Sequence, residues 1–266
     1  MTRITLVFLV TMMLPGLSAA YPLDGYEDTG IRRVEGARLA NVGVIPGRKQ
    51  PAGALLTTRE VDLRLLNYPS MDLPEPDPAF SKQLVKMLGS SAPNYGIAVL
   101  DISDPDNPVY GEHRGDYRQN TGSVGKLIVA LGLFQALADA WPKDLDKRRD
   151  ILKNTIVTAD DFSISDHHKI RIFDVATKTL TRRTMQVGDK GSLWEYLDWT
   201  LSVSSNSAAA MTMREAMLLR QYGKDYPPPE AEIQRFFKET PKKELTDLFQ
   251  RTFFDPITCL LYTSPS

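Results

Sequence analysis

Ser123 and Lys126 lie three residues apart in Asn120-Thr121-Gly122-Ser123-Val124-Gly125-Lys126. On a helix that spacing puts a hydroxyl and an amine on one face. The residues that follow, Leu127 to Phe134, carry no charge, so Lys126 is a lone cation at the mouth of an apolar helix. Such a cation is costly unless it gains a partner or gives up its proton. An amine with a depressed pKa can activate a neighbouring hydroxyl as a nucleophile. A second pattern, Ser204-Ser205-Asn206, precedes Ala208-Ala209-Ala210 at a break between two helical stretches. Ser-x-x-Lys and Ser-x-Asn each occur once in the chain. Taken singly, Ser123 would serve as a helix cap, Lys126 would snorkel to solvent, and Ser204 and Asn206 would be loop and cap residues. The turn before Ser123, the uncharged run after Lys126 and the presence of the second pattern together favour nucleophilic catalysis.

The surrounding pattern predicts the elements that would position these groups. Helical spacing runs from Phe80 to Leu88, and Tyr95 to Ile102 reads as a buried strand. Asp101 to Pro108 is turn-rich, and Val109 to Arg114 would complete a hairpin. The Ser123 stretch then opens a helix from Val124 to Ala140, stopped by Trp141-Pro142. Asp144 to Asn154 reads as a surface helix and Asp160 to Asp166 as polar loop. Lys169 to Val175 and Thr179 to Val187 are candidate paired strands, followed by a turn at Gly188 to Gly191. Ser192 caps a helix to Leu201, with Trp194 and Trp199 read as packing residues, or one of them as the border of a cleft. Ser207 is expected to cap an Ala-rich helix through Arg220, and Pro227-Pro228-Pro229 separates it from amphipathic pieces at Glu230–Lys238 and Lys242–Arg251. Upstream, Arg38 to Val44 and Ala54 to Leu65 are candidate short strands, and Asp72 to Pro78 reads as an extended link. The fold class implied is α+β, with an antiparallel sheet packed by helices and an all-helical subdomain.

The 266 residues are 42% hydrophobic and 24% charged, an ordinary globular balance. A net charge of −1 without a Lys/Arg block argues against nucleic acid as a partner. One cysteine excludes zinc sites that need two or more and any internal disulfide. His167-His168, after Asp160, Asp161 and Asp166, reads as solvated loop and not as a metal site, because adjacent side chains tend to point apart. No metal or cofactor is expected. Residues 1–20 have the order of a secretory signal peptide: Arg3, an apolar run from Ile4 to Leu14, then Leu17-Ser18-Ala19-Ala20. No later stretch is read as a membrane span. A periplasmic or secreted protein is therefore expected. The expected domains are an N-terminal extension over 21–79 and a catalytic region over 80–256.

The stretches Tyr117 to Lys126 and Val203 to Ala209 resemble the first two motifs of the penicillin-recognising serine hydrolases, the serine β-lactamases and D-Ala-D-Ala peptidases. The likeness covers about Phe80 to Leu219 and is nearest to the class A catalytic domain, with Ser205 where Asp is usual. It implies that Ser123 attacks a β-lactam or D-Ala-D-Ala carbonyl and that Lys126 accepts or relays its proton. Ser204 would pass that proton to the leaving nitrogen, Asn206 would bind the substrate amide and Lys126, and the Ser123 N–H would form half of the oxyanion hole. The implied partner is a small-molecule β-lactam or a peptidoglycan stem peptide. The alternatives are a cell-wall peptidase or a non-catalytic binding module.

Two parts of the pattern are absent after Asn206: a Lys-Thr-Gly-type motif and Glu-x-x-Leu-Asn. Glu215, Glu230, Glu232, Glu239 and Glu244 are the available glutamates, and none fits the place of a deacylating base. Residues 257–266 continue no amphipathic pattern and read as a non-native tail. The expectation is a C-terminally truncated form of the domain, lacking its later strands.

Overall fold

Asp77 opens the first helix of the main region by accepting from the Phe80 N–H at 2.6 Å, with Pro78 at the first helical position. The computed structural model describes residues 23–50, 55–61, 68, 72–117, 120–164 and 166–257. The expected signal peptide and residues 258–266 of the expected tail lie outside them. Two compact units are present, one built from the chain up to Val61 with Ile172–Thr181, the other from Asp62–Arg171 with Arg182–Ser266.

The first unit contains α1 (Tyr26–Thr29) and α2 (Arg32–Asn41). The latter corrects the strand expected from Arg38: Arg32 to Asn41 is one continuous helix, and a Glu35–Arg38 pair at i, i+3 supports it. Gly36 faces the Phe173 ring, and a Cβ there would lie 2.8 Å from Phe173 Cδ2. Within the other expected strand, the described residues Thr58–Glu60 form a 3₁₀ turn, and residues 54 and 62–65 lie outside the described set.

The second unit follows the sequence reading more closely. Its elements are α3 (Pro78–Leu88), β1 (Ile97–Asp101), β2 (Val109–His113), α4 (Lys126–Ala140), α5 (Leu145–Asn154) and β3 (Ile156–Thr158). In the hairpin β4 (Ile170–Asp174) with β5 (Thr179–Arg183), Ile172–Thr181 belongs to the first unit and the two ends to the second. Then come β6 (Lys190–Ser192), α6 (Leu193–Ser202), α7 (Asn206–Tyr222), α8 (Glu230–Glu239) and α9 (Lys242–Phe253). The class is mixed α+β with small antiparallel sheets.

In place of one antiparallel sheet, the described residues form three two-stranded ladders, β1–β2, β3–β6 and β4–β5. The β1–β2 register pairs Val99 with Gly111, and that glycine lets β2 lie directly on Phe80 of α3. The β3–β6 ladder was not anticipated; Ile156 pairs with Ser192 and Val157 with Gly191. The turn expected over Gly188–Gly191 is confined to its first part, where Gly188 takes φ +91, and Lys190 is already strand. Likewise β5 ends at Arg183, because Arg183 turns onto the Asp189 carboxylate at 2.6 and 2.7 Å. Ser192 then starts α6 through a capping box with Glu195.

Helix α4 buries Val129, Ala130, Leu133, Ala136, Leu137 and Ala140, one stripe at 3–4-residue spacing, against α7 and α9. The helical run Gly122–Ala140 is long and apolar enough to cross a membrane by length and composition alone, which the sequence reading did not anticipate; here it is a core helix with that stripe packed on other helices. Helix α7 is the most enclosed, buried along Ala208, Met211, Ala216, Leu218 and Leu219 between α4 and α6.

Candidate active site

Lys126 is the first residue of α4, and its side chain passes beneath an exposed 3₁₀ turn, Gly122–Gly125, that carries Ser123. Gly122 sits at φ +53, which a glycine adopts without strain, and its N–H bonds Asn120 Oδ1 at 2.8 Å. The turn leaves Ser123 exposed and Lys126 buried. Lys126 Nζ donates to Ser123 Oγ at 3.1 Å, Ser204 Oγ at 3.1 Å and Asn206 Oδ1 at 2.6 Å. Three oxygens thus meet the three N–H groups of one ammonium. Among the described residues no carboxylate joins them. All four residues singled out in the sequence meet at one nitrogen, across separations of 78 and 80 residues for Ser204 and Asn206.

The Ser204 loop is held from both sides. At φ +58, Ser204 lies in the left-handed region, which costs a non-glycine residue about 1–2 kcal/mol. The Ser205 N–H bonds Trp199 O at 3.1 Å and so ties the loop to α6. Ser205, and not Ser207 as expected, caps α7, with its Oγ accepting from the Ala208 N–H at 3.1 Å. The Ser207 hydroxyl instead donates to Ile164 O.

Asp166 was missed as part of this site. Its Oδ2 accepts from Ser205 Oγ at 2.8 Å, Asn206 N–H at 2.6 Å and Ser207 N–H at 3.2 Å. Its Oδ1 accepts from the His168 N–H at 3.0 Å and lies 2.6 Å from His168 Nδ1. A carboxylate so placed satisfies the free N–H groups at the start of α7 and suits the positive end of the helix. Burial pushes its pKa up, but the bonds from His168, Ser205 and Ser207 outweigh burial and hold the carboxyl far below the usual range. The sequence signal was only an acidic residue in a polar loop, 40 residues from the N–H it serves.

The His167 and His168 rings do not point apart; their centroids are 4.1 Å apart. With Asp166 they bring three metal-competent atoms within 4.8 Å. Both Asp166 oxygens are already committed to N–H and O–H donors, so the arrangement serves as a helix anchor.

Glu215 is buried inside α7, hydrogen-bonded by the Arg214 guanidinium and by Tyr226 Oη at 2.7 Å. Burial pushes its pKa up more than Arg214 and Tyr226 pull it down. A cavity of about 480 Å³ opens beside Ser123, Lys126 and Asn206, walled by Ile128, Val129, Ala209, Met213, Phe249, Phe253 and Phe254. An apolar cavity of about 690 Å³, reaching Phe162, Phe237 and Leu245, shares Asn206, Ala209, Met213 and Phe249 with it. No carboxylate lines either cavity among the described residues. The arrangement can generate a serine nucleophile, accept its proton and pass that proton to a second hydroxyl.

Comparisons of the chain with protein-family models, curated proteins and solved structures return no match.

Proposed function

We propose that this protein is an acyl-transfer hydrolase of the penicillin-recognising type, in which Ser123 opens a β-lactam amide through an acyl-enzyme. The observation that carries the reading is the convergence of Ser123 Oγ, Ser204 Oγ and Asn206 Oδ1 on Lys126 Nζ. A neutral Lys126 amine would donate to Ser204 and Asn206 and keep its lone pair for the Ser123 proton. Ser123 Oγ then attacks the carbonyl carbon, and the amide C–N bond breaks as Ser204, resupplied by Lys126, protonates the leaving nitrogen. Asn206 Nδ2 has no partner among the described residues and is available to a substrate carbonyl. Ser123 lies in the turn leading into α4, whose N-terminal dipole favours developing negative charge.

A second reading, a D-Ala-D-Ala peptidase whose acyl-enzyme persists, is favoured by the enclosed position of Glu215 and by a wall beside Ser123 that holds no carboxylate among the described residues. Both readings are tested by incubating the protein with a fluorescent penicillin and then following nitrocefin. Covalent label that decays with nitrocefin turnover supports the hydrolase, and label that persists supports the peptidase. Label in Ser123→Ala equal to wild type, or none in a folded wild type, overturns both.

A further inference from the structure

We propose that a second site, formed within the second unit by residues 167–169, Arg171, Arg182 and the end of α6, binds a multivalent oxyanion of the phosphate class. The site is a cavity of about 610 Å³ lined by His167, His168, Lys169, Arg171 and Arg182, with Ser202 and Val203 at its edge. Three of these are Lys or Arg on a chain whose net charge is −1, so the positive charge is local. Among the described residues, no carboxylate or carbonyl accepts from the side chains of Lys169, Arg171 or Arg182. Arg183, the next residue along β5, shows the contrast, since it forks onto both oxygens of Asp189.

Placing Arg171 and Arg182 on paired strands around one cavity is unfavourable by itself, because like charges on neighbouring strands repel. A bound anion removes that cost, and planar guanidinium groups match the tetrahedral oxygens of a phosphate in paired N–H···O contacts. The framework is fixed without the ligand: Trp199 Nε1–H holds Arg171 O at 3.0 Å, and His168 is held by Asp166. The volume accommodates a phosphate together with part of an attached group. Ser202 and Val203 lie on this cavity while Ser204 turns toward Lys126, so the oxyanion site and the Ser123 site flank one loop.

The test is calorimetric titration of the full chain with inorganic phosphate, pyrophosphate, a sugar phosphate and citrate, on wild type, Ser123→Ala and the double variant Arg171→Gln/Arg182→Gln. Submillimolar saturable binding of pyrophosphate or the sugar phosphate is expected, unchanged in Ser123→Ala and weakened at least about tenfold in the double variant. Tightest binding of inorganic phosphate would assign the site to the free ion, and tightest binding of the sugar phosphate to an ester; either supports the proposal. Absence of saturable phosphate binding, equal binding in a double variant with wild-type circular dichroism, or citrate binding as tightly as pyrophosphate would overturn it. Because Ser123→Ala is carried in parallel, failure here is separate from failure of the hydrolase reading.

Discussion

At the residue scale, the question the geometry raises is whether Lys126 acts through its charge or through its lone pair. Its three acceptors fit an ammonium, and the same heavy-atom positions fit an amine that takes the Ser123 proton. Lys126→Arg separates the two roles. Arginine keeps the charge and the donors but does not give up a proton in a protein. If the lone pair is needed, acylation by fluorescent penicillin should slow by roughly 10²–10⁴-fold, the usual contribution of a positioned base, with circular dichroism unchanged. Acylation within a few-fold of wild type would mean that Lys126 only supplies positive charge. The strained Ser204 backbone belongs with this group, since φ +58 is what turns its hydroxyl toward Lys126 in place of solvent.

At the element scale, the site depends on how closely α4 and α9 approach. A Cβ on Gly132 would stand 2.7 Å from Thr252 O and 2.6 Å from Phe253 Cδ1. The carbonyl belongs to helix backbone and cannot swing away, so Gly132→Ala must push α9 outward. Overpacking costs about 1–3 kcal/mol, and the helix propensity of Ala over Gly returns about 1, leaving a net loss of up to about 2 kcal/mol. Urea unfolding should show the lower midpoint, while Gly125→Ala, whose nearest neighbour would be Thr121 Oγ1 at 3.8 Å, should not. Equal midpoints for the two variants would show that the α4–α9 contact yields without cost. Because Phe249 and Phe253 of α9 wall the cavity beside Ser123, the glycine also fixes the shape of the pocket.

At the scale of the whole molecule, local signals were legible in the sequence and long-range ones were not. The Ser123–Lys126 spacing, the β1–β2 hairpin and the Ser192 cap depend on residues within a few positions of each other, and each was read from periodicity or turn chemistry. The β3–β6 ladder is three residues long on each strand and joins segments over 30 residues apart, too short for alternation to register. Asp166 was invisible for the same reason, since its role exists only once the start of α7 has docked on its carboxylate. That role makes acid stability a test of the fold. The Asp166 carboxyl is held well below its unfolded value of about 3.9, and its side chain is 1% exposed. Its contribution is therefore complete above the unfolded pKa. As pH falls from about 5, the unfolded chain takes up the proton first, and the contribution drains away until the folded carboxyl also protonates. Asp166→Asn should lower the urea midpoint at pH 7 by an amount equivalent to on the order of 2 kcal/mol. The gap between the variant and wild type should narrow steadily between pH 5 and pH 3 (roughly the span in which the unfolded carboxyl titrates). A gap that stays constant over that span would mean that Asp166 acts by shape and hydrogen-bond count alone, and not by its charge at the start of α7.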